Sequence, residues 1–308
     1  QQDNPWPLML SFVCPHPPYI CPPEWFEYYA NRDLPMPPQW QQADWPTHPV
    51  VDHFRRFFDL HPQFEEKQIR RLLAAYYGAC SFLDEQIGRV LHRLETLGLT
   101  DRTRVIYTSD HGEHLGARGI YGKLSLYDES AGVPMIAAGP DVPHGHACHT
   151  PTSLIDLYPS IIESVGARSY DDDAGLPGRS LWAIANNADA QRTVLSEYHA
   201  VASKHGSYML RDERFKYNHY VGAPPQLFDM RSDPQELRDL AGDPTHAEQL
   251  KACEQRLRQI LDPDEVDAMA RADQAARVEA LGGEAAIRQR GAFDNSPAPG
   301  EAPAFRLH

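Results

Sequence analysis

No run in the 308-residue sequence approaches the roughly 18 consecutive apolar residues of a membrane span, and nothing at its start pairs a charged segment with an apolar one. A membrane partner and a secretory leader are therefore not expected. Cysteine is scarce. Cys14, Cys21, Cys80, Cys148 and Cys253 are odd in number and scattered without a CxxC pair, so neither a disulfide framework nor a structural zinc site is suggested. Reduced thiols are the default, which points to the cytoplasm, with the periplasm as the alternative. Positive charge is also short: 29 Lys and Arg face 43 Asp and Glu, a formal net charge of −14. That balance argues against a nucleic-acid partner, and any pocket for an anionic ester must concentrate cations locally. An initiating methionine is missing too. The chain opens at Gln1 and soon enters the apolar stretch Leu8-Met9-Leu10-Ser11-Phe12-Val13, so a segment upstream of Gln1 is expected.

What is present supports a sizeable core. With 42% hydrophobic and 10% aromatic residues, the chain can form one large α/β unit plus a smaller appendage. Its organising stretch is residues 104–123. The β-branched and aromatic run Val105–Thr108 reads as a buried strand that ends in Asp110-His111-Gly112. Open α/β sheets place their chemistry at the carboxyl ends of strands. Asp110 offers an anionic oxygen, His111 an imidazole nitrogen, Gly112 a sharp turn, and Lys123 a mobile cation one loop later. An Asp-Gly-type turn leading into a polar loop is the plainer reading of the same residues.

The flanking segments suggest a βαβ arrangement. Residues 8–13 read as a strand that delivers His16 in the rigid loop Cys14-Pro15-His16-Pro17-Pro18-Tyr19. Residues 22–50, rich in Pro, Trp and Tyr, read as an ordered loop in which Trp25, Tyr28, Trp40 and Trp45 pack or line an entrance. A choline-like cation would suit such an aromatic and acidic entrance. From Phe64 to Leu97 apolar residues recur at helical spacing, with a bend expected near Gly78 and a stop at Gly98. Met135–Ala138 reads as another strand, and 152–165 as a helix ended by Gly166. His144, His146 and His149 are read as solvated loop residues, and Asp171–Asp173 as an exposed turn. Beyond a change in composition near 186–190, residues 193–199, 207–211 and 215–220 read as strands, the last two as a hairpin around Asp212-Glu213. His246–Leu261 reads as a helix, and 264–290 as a further helical stretch before a proline-bearing end.

Tyr107-Thr108-Ser109-Asp110-His111-Gly112-Glu113, then Gly122-Lys123, Tyr127-Asp128-Glu129-Ser130 and Val133-Pro134-Met135-Ile136, resemble the second metal-binding motif of sulfatases. The closely similar phosphonate monoester and phosphodiester hydrolases of the alkaline-phosphatase-like superfamily share this motif. The resemblance runs from about residue 5 to residue 260 and corresponds to the C-terminal three-fifths of a sulfatase. It implies an alkaline-phosphatase-like α/β sandwich with a mainly parallel central sheet, its N-terminal part missing, and a small C-terminal antiparallel α+β subdomain. The corresponding divisions are 1–188 for the catalytic remainder, 189–262 for the subdomain and 263–308 for a tail. A tail of that composition wraps its own body or joins a neighbouring copy, so a homo-oligomer is expected.

The resemblance assigns roles. Asp110 and His111 belong to the shell of one divalent metal, Lys123 binds an ester oxygen or stabilises the leaving group, and His16 acts as general acid or hydrogen-bond donor to the departing oxygen. His199, Lys204 and His205 lie where the subdomain can face the substrate. The family favours calcium, whereas an imidazole ligand favours manganese, iron or zinc. The family nucleophile is a formylglycine made from a Cys/Ser-x-Pro-x-Arg segment. Cys14-Pro15-His16 lacks the second proline and Cys21-Pro22-Pro23-Glu24-Trp25 lacks the arginine, so no nucleophile is expected in this chain and the chain alone should not turn over. The reading is a metal-dependent sulfatase for small sulfate monoesters. Its alternatives are a phosphonate monoester or phosphodiester hydrolase, or a non-catalytic fragment or interaction subunit.

Overall fold

The computed structural model describes residues 4–60, 64–186 and 191–291; the expected change of character at 187–190 and the proline-bearing end from 292 lie outside them. Residues 8–13 do not form the expected strand. They are extended, with Leu8, Met9 and Val13 67%, 87% and 81% exposed. A strand is held by its ladder, and among the described residues nothing pairs with this segment. The proline-rich region that follows is more regular than its composition suggests. It forms α1 (Pro23–Ala30) and α2 (Pro49–Phe57), each started by a proline in the first turn, where no backbone N–H is needed.

The long amphipathic helix is present as α3 (Glu66–Thr96), opened by a Glu65–Gln68 capping box and stopped by Gly98 at φ +64°. Gly78 serves a close approach of α1: a Cβ there would lie 2.6 Å from Cys21 Sγ and 3.2 Å from the Trp25 carbonyl carbon. Ile69 and Leu73 of α3 bury against Leu115. That contact ties the helix to the loop after the Asp-His-Gly motif.

β1 (Val105–Thr108) pairs with β2 (Met135–Ala138), and the pair is antiparallel, with Val105 opposite Ala138 and Thr108 opposite Met135. This corrects the expected parallel arrangement. A parallel return needs a helical crossover of a dozen or more residues, whereas the only α-helix in this connection is α4 (Asp128–Ala131), so the chain turns back along β1. One face of the pair is covered by α6 (Leu181–Asn186), whose Leu181, Trp182 and Ile184 contact Ile106, Met135 and Ala137. Before it, α5 (Leu157–Ser164) ends at Gly166 as expected.

The C-terminal strands follow the sequence reading closely. β3 (Val194–Tyr198), β4 (Ser207–Arg211), β5 (Phe215–Tyr220) and β6 (Ala223–Asp229) form one antiparallel sheet in chain order. Asp212 accepts from the Arg214 and Phe215 amides at 2.9 and 2.7 Å and so folds the β4–β5 turn. Tyr208, Leu210, Tyr217 and Leu227 bury against Cys253 and Leu257 of α7 (Ala247–Ile260). The following stretch divides into α8 (Pro263–Ala280) and α9 (Gly283–Arg290), separated by Gly282 at φ +92°. A second core joins α2 and the loop after β1 to the C-terminal sheet: Val51 and Phe54 of α2, Ile120, Tyr127, and Phe228 and Met230 at the end of β6. The described residues are thus mixed α/β, and the two sheets among them are antiparallel.

Candidate active site

β1 delivers Ser109-Asp110-His111 as its ladder ends. Ser109 Oγ donates to the His111 carbonyl at 2.8 Å, and Asp110 Oδ1 accepts from the His111 amide at 3.1 Å, which folds the dipeptide back on itself. Gly112 plays a different part from the turn expected of it. Its φ is not left-handed, but a Cβ would lie 2.2 Å from the Glu129 carbonyl oxygen. The residue is glycine because α4 presses against it.

The tautomer of His111 follows from its partner. Nδ1 lies 2.8 Å from the Gly112 carbonyl, an acceptor only, so Nδ1 carries the proton and Nε2 presents a lone pair. That lone pair faces Asp110 Oδ2 at 3.5 Å. In the neutral ring two lone-pair atoms are turned toward each other, an arrangement that fits a shared cation, and a backbone carbonyl on the second ring nitrogen is the usual support of a metal-bound histidine. The donor pair therefore fits two positions of a metal shell. Among the described residues no group of three His, Cys, Asp or Glu side chains converges to extend it.

Lys123 is brought back to this strand end by the loop it closes. Glu113 Oε1 accepts from the Leu115 and Gly122 amides at 3.1 and 2.6 Å, and the His114 amide donates to the Gly122 carbonyl at 2.9 Å. Gly122 turns at φ +82°, a backbone conformation costly for other residues. Ser130 of α4 then holds both arms. Its carbonyl accepts from Gly112 at 2.8 Å and its hydroxyl from the Leu124 amide at 3.1 Å. The residue after His111 and the residue after Lys123 thus share one anchor. The Lys123 ammonium has no hydrogen-bond or ion-pair partner among the described residues, which leaves it free for an anion.

His16 is exposed on its loop, with Nδ1 donating to the Pro17 carbonyl at 2.7 Å and Nε2 open. Three residues on, burial together with the nearby Glu113 carboxylate pushes the Tyr19 phenol well above the usual range. The proline loop is thereby tied to the loop that starts beside His111. Tyr19 also meets Tyr76 edge-on at 5.6 Å, anchoring it to α3.

The subdomain candidates have partners of their own. His199 sits 3.4 Å from Glu197 and edge-on to Tyr208, and its carbonyl accepts from Gln274 of α8. His205 lies 3.1 Å from Arg271 and 3.5 Å from Asp267, both on α8. Lys204 is close enough to His53 that its charge helps to lower the pKa of that imidazole. The aromatic region is likewise used internally: Arg32 covers the Tyr28 ring at 3.9 Å, and Arg55 lies 4.9 Å from that of Trp45. His144, His146 and His149 are exposed, and Asp171–Gly175 is an exposed 3₁₀ turn, both as expected.

A buried charge network behind the site escaped the sequence. Lys216 and Arg118 are both fully buried. Lys216 Nζ contacts Asp128 at 2.6 Å and Glu236 at 2.8 Å, while Arg118 contacts Glu129 at 2.6 Å and lies over the Tyr127 ring at 4.1 Å. Burial raises the Glu236 pKa, with Lys216 pulling the other way. His114 shows the cost of the same field. Burial, then the Arg118 and Lys216 cations, push its pKa down to about 3, and its Nε2 pairs with Ser125 Oγ at 2.7 Å. It is a neutral structural histidine.

Residues 1–167 match the sulfatase family, and residues 112–263 match the N-sulphoglucosamine sulphohydrolase C-terminal family. The chain is similar to arylsulfatase K of Xenopus laevis, 30% identical over 289 residues, covering 86% of this chain and 53% of the relative. It is also similar to the choline-sulfatase of Rhizobium meliloti, 31% identical over 252 residues, covering 79% and 48%. The phosphonate monoester hydrolase of Silicibacter pomeroyi superposes with a TM-score of 0.69 at 29% identity, covering 80% of this chain and 53% of that one. The chain spans about half the length of these relatives. With more than half of its residues matched by the family, the chain belongs to the sulfatase family.

Proposed function

We propose that this chain carries the metal-binding and leaving-group side of a hydrolase for small sulfate monoesters. The observation that carries the reading is the shared Ser130 anchor, which tethers the Asp110-His111 arm and the Lys123 arm to one short helix. Asp110 and His111 would hold a divalent cation, which when bound neutralises non-bridging ester oxygens. The family favours calcium, and the imidazole favours manganese or another transition metal. Lys123, unpaired and poised on its glycine turn, binds an ester oxygen. His16, with Nε2 open to solvent, supplies or shares the proton that the departing oxygen needs. No residue among 1–308 is assigned as nucleophile: burial raises the thiol pKa values of both Cys14 and Cys21, the opposite of what activates a sulfur.

Phosphonate monoester hydrolysis is the second reading, supported by the likeness to the Silicibacter pomeroyi enzyme. The test is steady-state hydrolysis of an aryl sulfate and of an aryl phosphonate monoester by the natural full-length protein and its Lys123→Ala variant. The sulfate ester is expected to be the better substrate, with kcat in the variant lowered about a hundredfold. Preference for the phosphonate favours the second reading, and a variant as active as the parent on both esters removes Lys123 from the site.

A further inference from the structure

The network behind the site links two parts of the fold. Lys216 belongs to β5, whereas Asp128, Glu129 and Ser130 are consecutive residues of α4. Lys216 Nζ bridges the Asp128 and Glu236 carboxylates at 2.6 and 2.8 Å, and the other Glu236 oxygen accepts from the Asp128 amide at 2.7 Å. Glu129 is held by Arg118, whose guanidinium also donates to the Gln235 carbonyl. A four-residue helix is too short to hold its position by itself, and these ion pairs fix it from behind. On its front, Ser130 carries the amides that follow His111 and Lys123.

We propose that Lys216 is a positioning residue for the candidate site. Through Asp128 and Glu236 it seats α4, and through Ser130 it sets the distance between the Asp110-His111 arm and the Lys123 arm. The C-terminal sheet thereby controls a site whose proposed ligands, Asp110 and His111, lie outside it. This inference rests on the functional reading above for the roles of the two arms, but its geometry stands without them.

The experiment uses the natural full-length protein and three variants. Lys216→Met removes the bridge directly but leaves Glu236 unpaired in the interior. Asp128→Ala and Ser130→Ala are the milder pair, because Lys216 keeps Glu236 in the first and the Ser130 carbonyl keeps Gly112 in the second. Manganese affinity by calorimetry, hydrogen exchange over residues 110–124 and thermal midpoints are measured for each. Asp128→Ala is expected to weaken manganese binding about tenfold and to speed exchange across 110–124, with exchange in β3–β6 unchanged. Ser130→Ala is expected to speed exchange at Leu124 and leave manganese affinity within about twofold. Unchanged exchange in both variants overturns the inference, as does acceleration spread evenly over the whole chain. If the parent binds no manganese, the metal assignment of Asp110 and His111 fails for that ion, and exchange at 110–124 alone decides whether Lys216 positions the loop.

Discussion

His111 and His114 lie three residues apart and have opposite uses. His111 turns a lone pair outward beside a carboxylate, whereas His114 is sealed beneath two buried cations with its pKa pushed down to about 3. Between pH 6.5 and 3 the unfolded chain takes up a proton at this histidine and the folded chain does not. Folding stability is therefore expected to fall with acidification across that window, by about 1.4 kcal/mol per pH unit from this group. Denaturant titrations at stepped pH should show a shallower acid slope in His114→Gln, and identical slopes would remove His114 as the source. The sequence exposes His111 because Asp110 and Gly112 surround it in a recognisable order. It cannot separate His114, because burial depends on Arg118 and on Lys216, about a hundred residues away. Gly112 was legible as a required glycine but not for its reason, since the close approach of Glu129 is a tertiary contact.

Elements with a long local period were readable, and those defined by distant partners were not. α3 declares itself through more than 30 residues of apolar recurrence and the hairpin β4–β5 through Asp212, because the causes lie within a few residues of the effect. The direction of β2 and the absence of a ladder at residues 8–13 depend on what lies alongside, which no local pattern encodes. Asp156 is a case at this scale. Fully buried at the start of α5, it accepts two hydrogen bonds from Arg192, at 2.6 and 2.7 Å, and further ones from the Ser153 and Arg179 amides. Asp156→Ala strands the Arg192 guanidinium and is expected to destabilise the fold by about 3–5 kcal/mol in urea titration. A loss under about 1 kcal/mol would mean that the pair is an exposed one in solution.

At the scale of the molecule, α2, the loop 120–127 and β6 share one core, and the buried Lys216 bridge runs through the same junction. The junction couples the loop that carries Lys123 to the C-terminal sheet, although the proposed ligands Asp110 and His111 follow β1. In the proposed reading Asp110 and His111 would supply two donors to a metal shell and Lys123 a free ammonium, in a chain that spans about half the length of its relatives. The most direct measurement is anomalous diffraction from crystals of the natural full-length protein soaked with manganese. A single anomalous peak in contact with Asp110 Oδ2 and His111 Nε2 is the predicted result. A peak elsewhere, with Asp110 and His111 left bonded only to their own backbone, would contradict the assignment.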